Sequence, residues 1–332
     1  MSATECRYFE EVGAAGARRV ETRRRAERRA PRLLLILAFS AVYLIWGSTY
    51  LGIKYAIETF PPFLMAGIRF LIAGAALYGW ARWRNGQVGE SGETATRSHW
   101  YAAAITGFSL FLIGNGGVVW AESMVPSGLA ALLVAIEPSW VVILNWLRPG
   151  GVRPSGKILA GLVIGLAGVY FLIGGGSAGG PGINLLGAAI VIGAAFSWAA
   201  GSLYSKHAPL PASPLLSSGM QMLCGGGLLM LTSLLTGEWR DFAWSAVSMR
   251  SAGALIYLII FGSIVAFTAY SWLLRVASPV QAASYAYVNP VVAVILGWAL
   301  GGESVGMRVL IAAAVIVASV VLITTQERAV KS

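Results

Sequence analysis

Ten runs of about 20 mostly apolar residues, joined by short connections, organise this sequence, and each is long enough to cross the hydrocarbon core of a bilayer as an α-helix. They fall at approximately 33–53, 62–83, 99–120, 127–147, 155–174, 182–205, 214–236, 250–272, 279–299 and 304–325. The connections carry turn residues: Pro61-Pro62, Pro126-Ser127-Gly128, Arg148-Pro149-Gly150-Gly151, Gly174-Gly175-Gly176 and the stretch from Pro209 to Pro214. Charged residues make up only 11% of the chain, against roughly 25% in soluble domains, so a water-facing surface could not be covered. The expected fold is an all-α polytopic membrane protein with ten transmembrane helices. With so little material outside the membrane, any activity lies among the helices. The first apolar run reads as a retained span, because it is too long for a signal peptide and no small-residue cleavage site follows it.

The net charge of +10 does not mark a nucleic-acid-binding face, because nine of the 24 Lys and Arg residues lie in the first 32 residues. Residues 1–31 read as a basic, flexible cytoplasmic tail. With the N-terminus inside, ten further cations fall on inner loops: Arg82, Arg84, Arg97, Arg148, Arg153, Lys157, Lys206, Arg275, Arg328 and Lys331. Four fall on the outer side: Lys54, Arg240, Arg250 and Arg308. The bias places both termini in the cytoplasm, with 326–332 as a second short tail. A bacterial inner membrane is the expected location.

Several chemistries find no support. Cys6 and Cys224 offer neither a disulfide framework nor a metal site, and His99 and His207 belong to no HExxH motif. Gly161, Gly165 and Gly168 lie mid-span in an apolar helix, where small residues serve packing, and no GxxxxGK[ST] loop exists to bind ATP. No paired Asp and no Ser–Lys constellation suggests an intramembrane enzyme. The expected partners are a small-molecule substrate and the lipid bilayer, with no cofactor, metal, nucleic acid or ATP. Monomer and dimer are equally compatible with the residues.

One offset, 152 residues, aligns the two halves of the chain without a gap. It matches Trp46 with Trp198, Trp120 with Trp272 and Trp146 with Trp298, and it matches Pro62 with Pro214 and Pro138 with Pro290. Lys54 meets Lys206, and the glycines Gly67 and Gly74 meet Gly219 and Gly226. Chance matches of Gly are cheap in such a composition; Trp and Pro pairs in one register are not. The repeats, 32–174 and 182–325, hold five spans each. An odd number forces the second half to cross the membrane in the opposite sense. Inverted repeats place a substrate site near the midplane, and rocking of one half against the other gives alternating access.

These residues resemble the drug/metabolite transporter superfamily, in particular its EamA-type exporters of ten helices. The resemblance rests on Trp46-Gly47-Ser48, Lys54, Pro61-Pro62 and Arg69-Phe70 in the first half. In helix four it rests on Leu129-Ala130-Ala131-Leu132-Leu133 and Glu137-Pro138. In helix nine it rests on Gln281-Ala282-Ala283, Asn289-Pro290 and Leu300-Gly301-Gly302-Glu303. It covers about residues 33–325 and departs from the family at Arg148-Pro149-Gly150-Gly151, where a Gly-Glu pair is common. It implies a membrane exporter of small amphipathic metabolites, with amino acids, aromatic ones included, favoured. A multidrug or nucleotide-sugar-type carrier on the same fold is the alternative.

Within the spans, Glu137 is the acid placed deepest, and a charge at that depth is costly. It reads as a contact for a substrate amine, as a proton-coupling carboxyl, or as a neutral Glu bonded across helices. Its repeat counterpart is Asn289. Pro138 and Pro290 each remove a helix-interior donor and read as hinges or as packing kinks. Arg69 could hold a carboxylate, pair with Glu137 or snorkel outward. Asn115, among Gly114, Gly116 and Gly117, reads as a bridge or a substrate contact. Trp46, Thr49, Tyr50 and Trp198 read as aromatic and polar cavity walls, with Ser202, Tyr270 and Tyr285 as further candidates. Helices one, three, four, six, eight and nine are expected around the cavity, with five and ten peripheral.

Overall fold

The computed structural model of the protein describes residues 31–87, 95–148, 153–173, 184–240, 242–277 and 285–331. Its ten helices are α1 (Arg32–Ala56), α2 (Pro62–Gln87), α3 (Arg97–Ala121), α4 (Ser127–Leu147), α5 (Gly156–Ile173), α6 (Leu185–Ser205), α7 (Pro214–Leu235), α8 (Met249–Leu273), α9 (Tyr285–Ala299) and α10 (Met307–Lys331). By length and composition α1 to α8 suffice to cross a membrane; in α9 and α10 the apolar stretches, Val288–Ala299 and Met307–Leu322, are shorter. Residues 1–30 of the tail expected over 1–31, and the start of the ninth span, 279–284, lie outside the described residues. At the other end α10 runs on to Lys331, into the stretch 326–332 expected as a tail, because no Gly or Pro stops it and Gln326-Glu327-Arg328-Ala329 favour helix.

Polar residues start several helices by accepting the first free N–H groups. Asn184 Oδ1 accepts from Gly187 N at 3.0 Å, and Ser248 Oγ accepts from Ser251 N at 3.1 Å. Ser213 caps α7 in the same way ahead of Pro214, which needs no donor there.

The helices pack as the repeat requires. α2 lies on α7 and α5 on α10, each against its counterpart in the other half. α1 packs on α9 and α8, just as α6 packs on α4 and α3. Lipid gives helices no hydrophobic reason to associate, so close backbone contact between small residues carries the interfaces. The matched glycines do this for α2 and α7: a Cβ added at Gly74 would lie 2.8 Å from Leu223 N, and one at Gly226 would lie 2.8 Å from Leu71 N. The α5–α10 contact uses Gly165 and Gly168 against Val315, Ile316 and Ser319, and Ser319 Oγ donates to Gly161 O at 2.9 Å.

Two departures from regular helix matter for the site. α3 and α8 each contain a π-helical stretch, Phe108–Gly116 and Leu258–Val265, at positions that overlap under the repeat offset. α4 divides into Ser127–Val134 and Glu137–Leu147. Pro138 is therefore not in a helix interior, as expected from sequence, but in the first turn of the second segment. Having no N–H, it leaves Val134 O without its usual donor, and Ser139 N bonds back to Ile136 O at 2.9 Å instead. Pro290 stays inside a continuous α9.

The α2–α7 interface yields a paired test. Gly226→Leu should destabilise the protein by roughly 1–3 kcal/mol through overpacking, read as a lower Tm in detergent. Gly227→Leu, where an added Cβ meets nothing within 4 Å, should leave the Tm unchanged.

Candidate functional site

A cavity of about 90 Å³ lies between the halves. α1 contributes Trp46, Thr49, Tyr50 and Ile53; α2 contributes Arg69; α3 contributes Gly114, Asn115 and Val118. From α4 come Val134 and Glu137, from α6 Ala194, Ala195 and Trp198, and from α9 Tyr285 and Asn289. The residues expected at the site thus come together, with two exceptions. Tyr270 and Ser202 do not line the cavity. Tyr270 stands behind the wall, its ring 4.9 Å from that of Trp46, and Ser202 lies beside Tyr270. Helix eight, expected as a wall, contributes no lining residue; helix two, not expected, does.

Trp46 organises the aromatic side. Its ring meets Tyr285 edge-on at 5.2 Å and Trp198 edge-on at 6.2 Å, geometries that aromatic quadrupoles favour. Its Nε1 donates to Gly262 O at 3.1 Å. That acceptor lies in the π-helical stretch of α8, where the i→i+5 slip re-aims backbone carbonyls. The counterpart Trp198 has a buried Nε1 that makes no full hydrogen bond among the described residues, its side chain lying toward Tyr285.

Arg69 is 3% exposed. It does not snorkel outward, and no ion pair with Glu137 is present among the described residues. Its Nε donates to Ser263 Oγ at 2.8 Å, its guanidinium lies 4.7 Å from the Phe70 ring centre, and Nη1 has no partner. Gly262 makes room for it: an added Cβ there would sit 3.1 Å from Nη2. Nothing in the linear sequence pairs Arg69 with Ser263, because the π-helical slip that presents Ser263 leaves no compositional trace. Glu137, 6% exposed, opens the second segment of α4, where the helix dipole favours a negative charge. Tyr285 Oη reaches its Oε2 at 3.5 Å, a long hydrogen bond. Asn289 Oδ1 is buried without a partner.

Beyond the end of the cavity marked by Arg69 and Ile53, the helix ends are tied together. Lys54 Nζ donates to Gly301 O at 2.6 Å and to Glu303 Oε1 at 3.1 Å. Glu303 also accepts from Ser127 N, Ser127 Oγ and Gly128 N at 2.9, 2.7 and 3.0 Å, capping α4. Burial alone would raise the Glu303 pKa, but these donors outweigh it and hold the carboxyl below the usual carboxylate range. The latch is therefore intact above that range and is lost only as pH falls below it. At the other end a wider cleft opens between α4 and α6, bordered by Leu144, Arg148, Leu203 and His207. Sequence reading missed the latch and a buried acid beside it, Glu122, because an acid in a short connection reads as solvated.

A bundle of two matched five-helix halves around a small polar and aromatic cavity is the architecture of a membrane transporter, not of an enzyme. The chain belongs to the EamA-like transporter family, whose model matches residues 33–174 and again residues 185–325. It is 40% identical over 293 residues to the Escherichia coli K12 protein named "Uncharacterized inner membrane transporter YedA", covering 88% of this chain and 91% of that one. It is 28% identical over 267 residues to the E. coli K12 "Probable amino-acid metabolite efflux pump", covering 76% and 81%. A solved crystal structure superposes with a TM-score of 0.63 at 23% identity, covering 90% of this chain and 99% of that one.

The latch predicts an order of severity. Glu303→Ala should lower the Tm more than Lys54→Ala, because it strips three donors on Ser127 and Gly128 of their acceptor as well as the ammonium. Each buried group left unsatisfied costs roughly 1–3 kcal/mol. Equal losses would mean that the ion pair alone matters.

Proposed function

We propose that the protein exports small amphipathic metabolites, amino acids including aromatic ones first among them, by alternating access across the inner membrane. The observation that carries this reading is the set of buried polar atoms left unpartnered beside aromatic walls. Among the described residues Arg69 Nη1 is a buried donor and Asn289 Oδ1 a buried acceptor without a partner, and Trp198 Nε1 has no full hydrogen bond, its side chain lying toward Tyr285. Glu137 lies in the same cavity with only one long bond from Tyr285. A zwitterion answers both signs: its carboxylate suits Arg69 and Trp198, and its ammonium suits Glu137 and Asn289. Trp46, Tyr50 and Tyr285 supply the face for an apolar or aromatic side chain, with Thr49 and Asn115 at its polar edge. Ser202 and Tyr270 support this wall from behind. The relative named as an amino-acid metabolite efflux pump points the same way.

In this reading both termini are cytoplasmic, so the Lys54–Glu303 latch closes the outer face and the cleft by Arg148 faces the cytoplasm. Substrate enters from the cleft. Pro138, where α4 already divides, and its counterpart Pro290 act as hinges, and Glu137 is the coupling candidate within the cavity. An electrochemical gradient or the substrate's own gradient drives efflux.

Efflux from proteoliposomes loaded with a panel of radiolabelled solutes tests the substrate class. Amino acids should move; movement of drugs or sugar nucleotides instead would favour the multidrug or nucleotide-sugar-type carrier. Arg69→Met should raise KM for amino acids about 10–100-fold, the loss of one charge-assisted bond, and spare the corresponding amides. Glu137→Gln should lower transport and flatten its dependence between about pH 5.5 and 8. Unchanged rates over that range would return Glu137 to a structural role.

A further inference from the structure

Glu122 is a buried carboxyl that the transport site leaves unused. It follows the last turn of α3, and its N–H bonds to the carbonyl of the cavity residue Val118 at 2.9 Å. Its side chain lies toward the latch, 8% exposed, and neither oxygen has a hydrogen-bond partner among the described residues. The charged and titratable groups facing it are Lys54 and Tyr50 from α1, Arg69 from α2, and Glu303 from the connection between α9 and α10.

We propose that closing the latched face of the transporter takes up one proton at Glu122, and that opening this face releases it. The proposal rests on the alternating-access reading. Two neighbouring carboxyls stand in contrasting surroundings. Glu303 has four donor contacts and holds the charge. Glu122 has none, and a carboxylate without donors is strongly disfavoured away from water. Two such groups in mutual repulsion share a proton unevenly, the less solvated one keeping it. Burial first, and repulsion from Glu303 second, raise the Glu122 pKa well above the carboxylate range, against the pull of Lys54 and Arg69.

When the latch parts and water reaches Glu122, its pKa returns toward the ordinary value. Between the ordinary and the raised pKa the closed state therefore holds one more proton than the open state. Raising pH within that window favours opening, and lowering it favours closure, by up to about tenfold in the open-to-closed ratio per pH unit.

Spin labels on cysteines placed at the exposed Ser123 and Leu300, with Cys6 and Cys224 replaced by Ser, report the separation across this face in nanodiscs. From about pH 5.5 to 8 a longer-distance population should grow several-fold in the Glu122 protein. Glu122→Gln should keep the short distance at every pH, which also reports that it folds, and Glu122→Asp should restore the pH response. A Glu122→Gln protein that responds to pH like its parent overturns the assignment, as does a parent with no response despite a populated open state. If no open population appears in any variant, the alternating-access reading falls, and the proposal with it.

Discussion

Away from water, every polar group must find its partner within the protein. The rest of this structure follows from where that demand is met and where it is left open. Over most of their length the helices meet it with their own backbone ladders. The ladder departs from that pattern in four described places, the π-helical stretches of α3 and α8, the division of α4 before Pro138 and Pro290 within α9, and all four lie at or directly behind the cavity. There the displaced backbone receives Trp46 Nε1 at Gly262 O and presents Ser263 to Arg69. Irregular backbone is tolerated because it is enclosed by protein, and its enclosure builds a polar site.

The repeat explains how two short, simple halves make that enclosure. Helices α2 and α7 meet through glycines at matched positions, so the contact is nearly the same seen from either half. The cavity forms where the matching stops. Trp46 is bonded through its indole nitrogen and Trp198 is not; Glu137 faces Asn289 as its counterpart; Arg69 corresponds to Gln221, whose amide bonds Ser217 in its own helix. Symmetry supplies the frame, and differences between counterparts supply the chemistry.

Much of this was legible in the chain. The spans followed from apolar run length, and the two halves followed from Trp and Pro pairs in one register. Glu137, Asn289 and the aromatic residues of α1 and α6 stood out because polar or matched residues at mid-span need a reason. What stayed hidden was of a different physical kind. A π-helical slip changes hydrogen-bond order without changing composition, so nothing marked Gly262 and Ser263 as partners of Trp46 and Arg69. Tyr270 carries the same chemistry as Tyr285 but stands one layer back, a distinction set by helix rotation. Glu122 and Glu303 lie in connections, where sequence alone cannot separate a solvated acid from an enclosed one.

Glu303 performs two tasks with one carboxylate: it pairs with Lys54, and it holds the first N–H groups of α4. Removing this carboxylate would release Lys54 and the start of α4 together. The residue 152 positions earlier is Gly151, which has no side chain with which to do either. The loss of this one carboxylate is thus felt in helix stability as well as in the ion pair, a double penalty that its repeat counterpart does not carry.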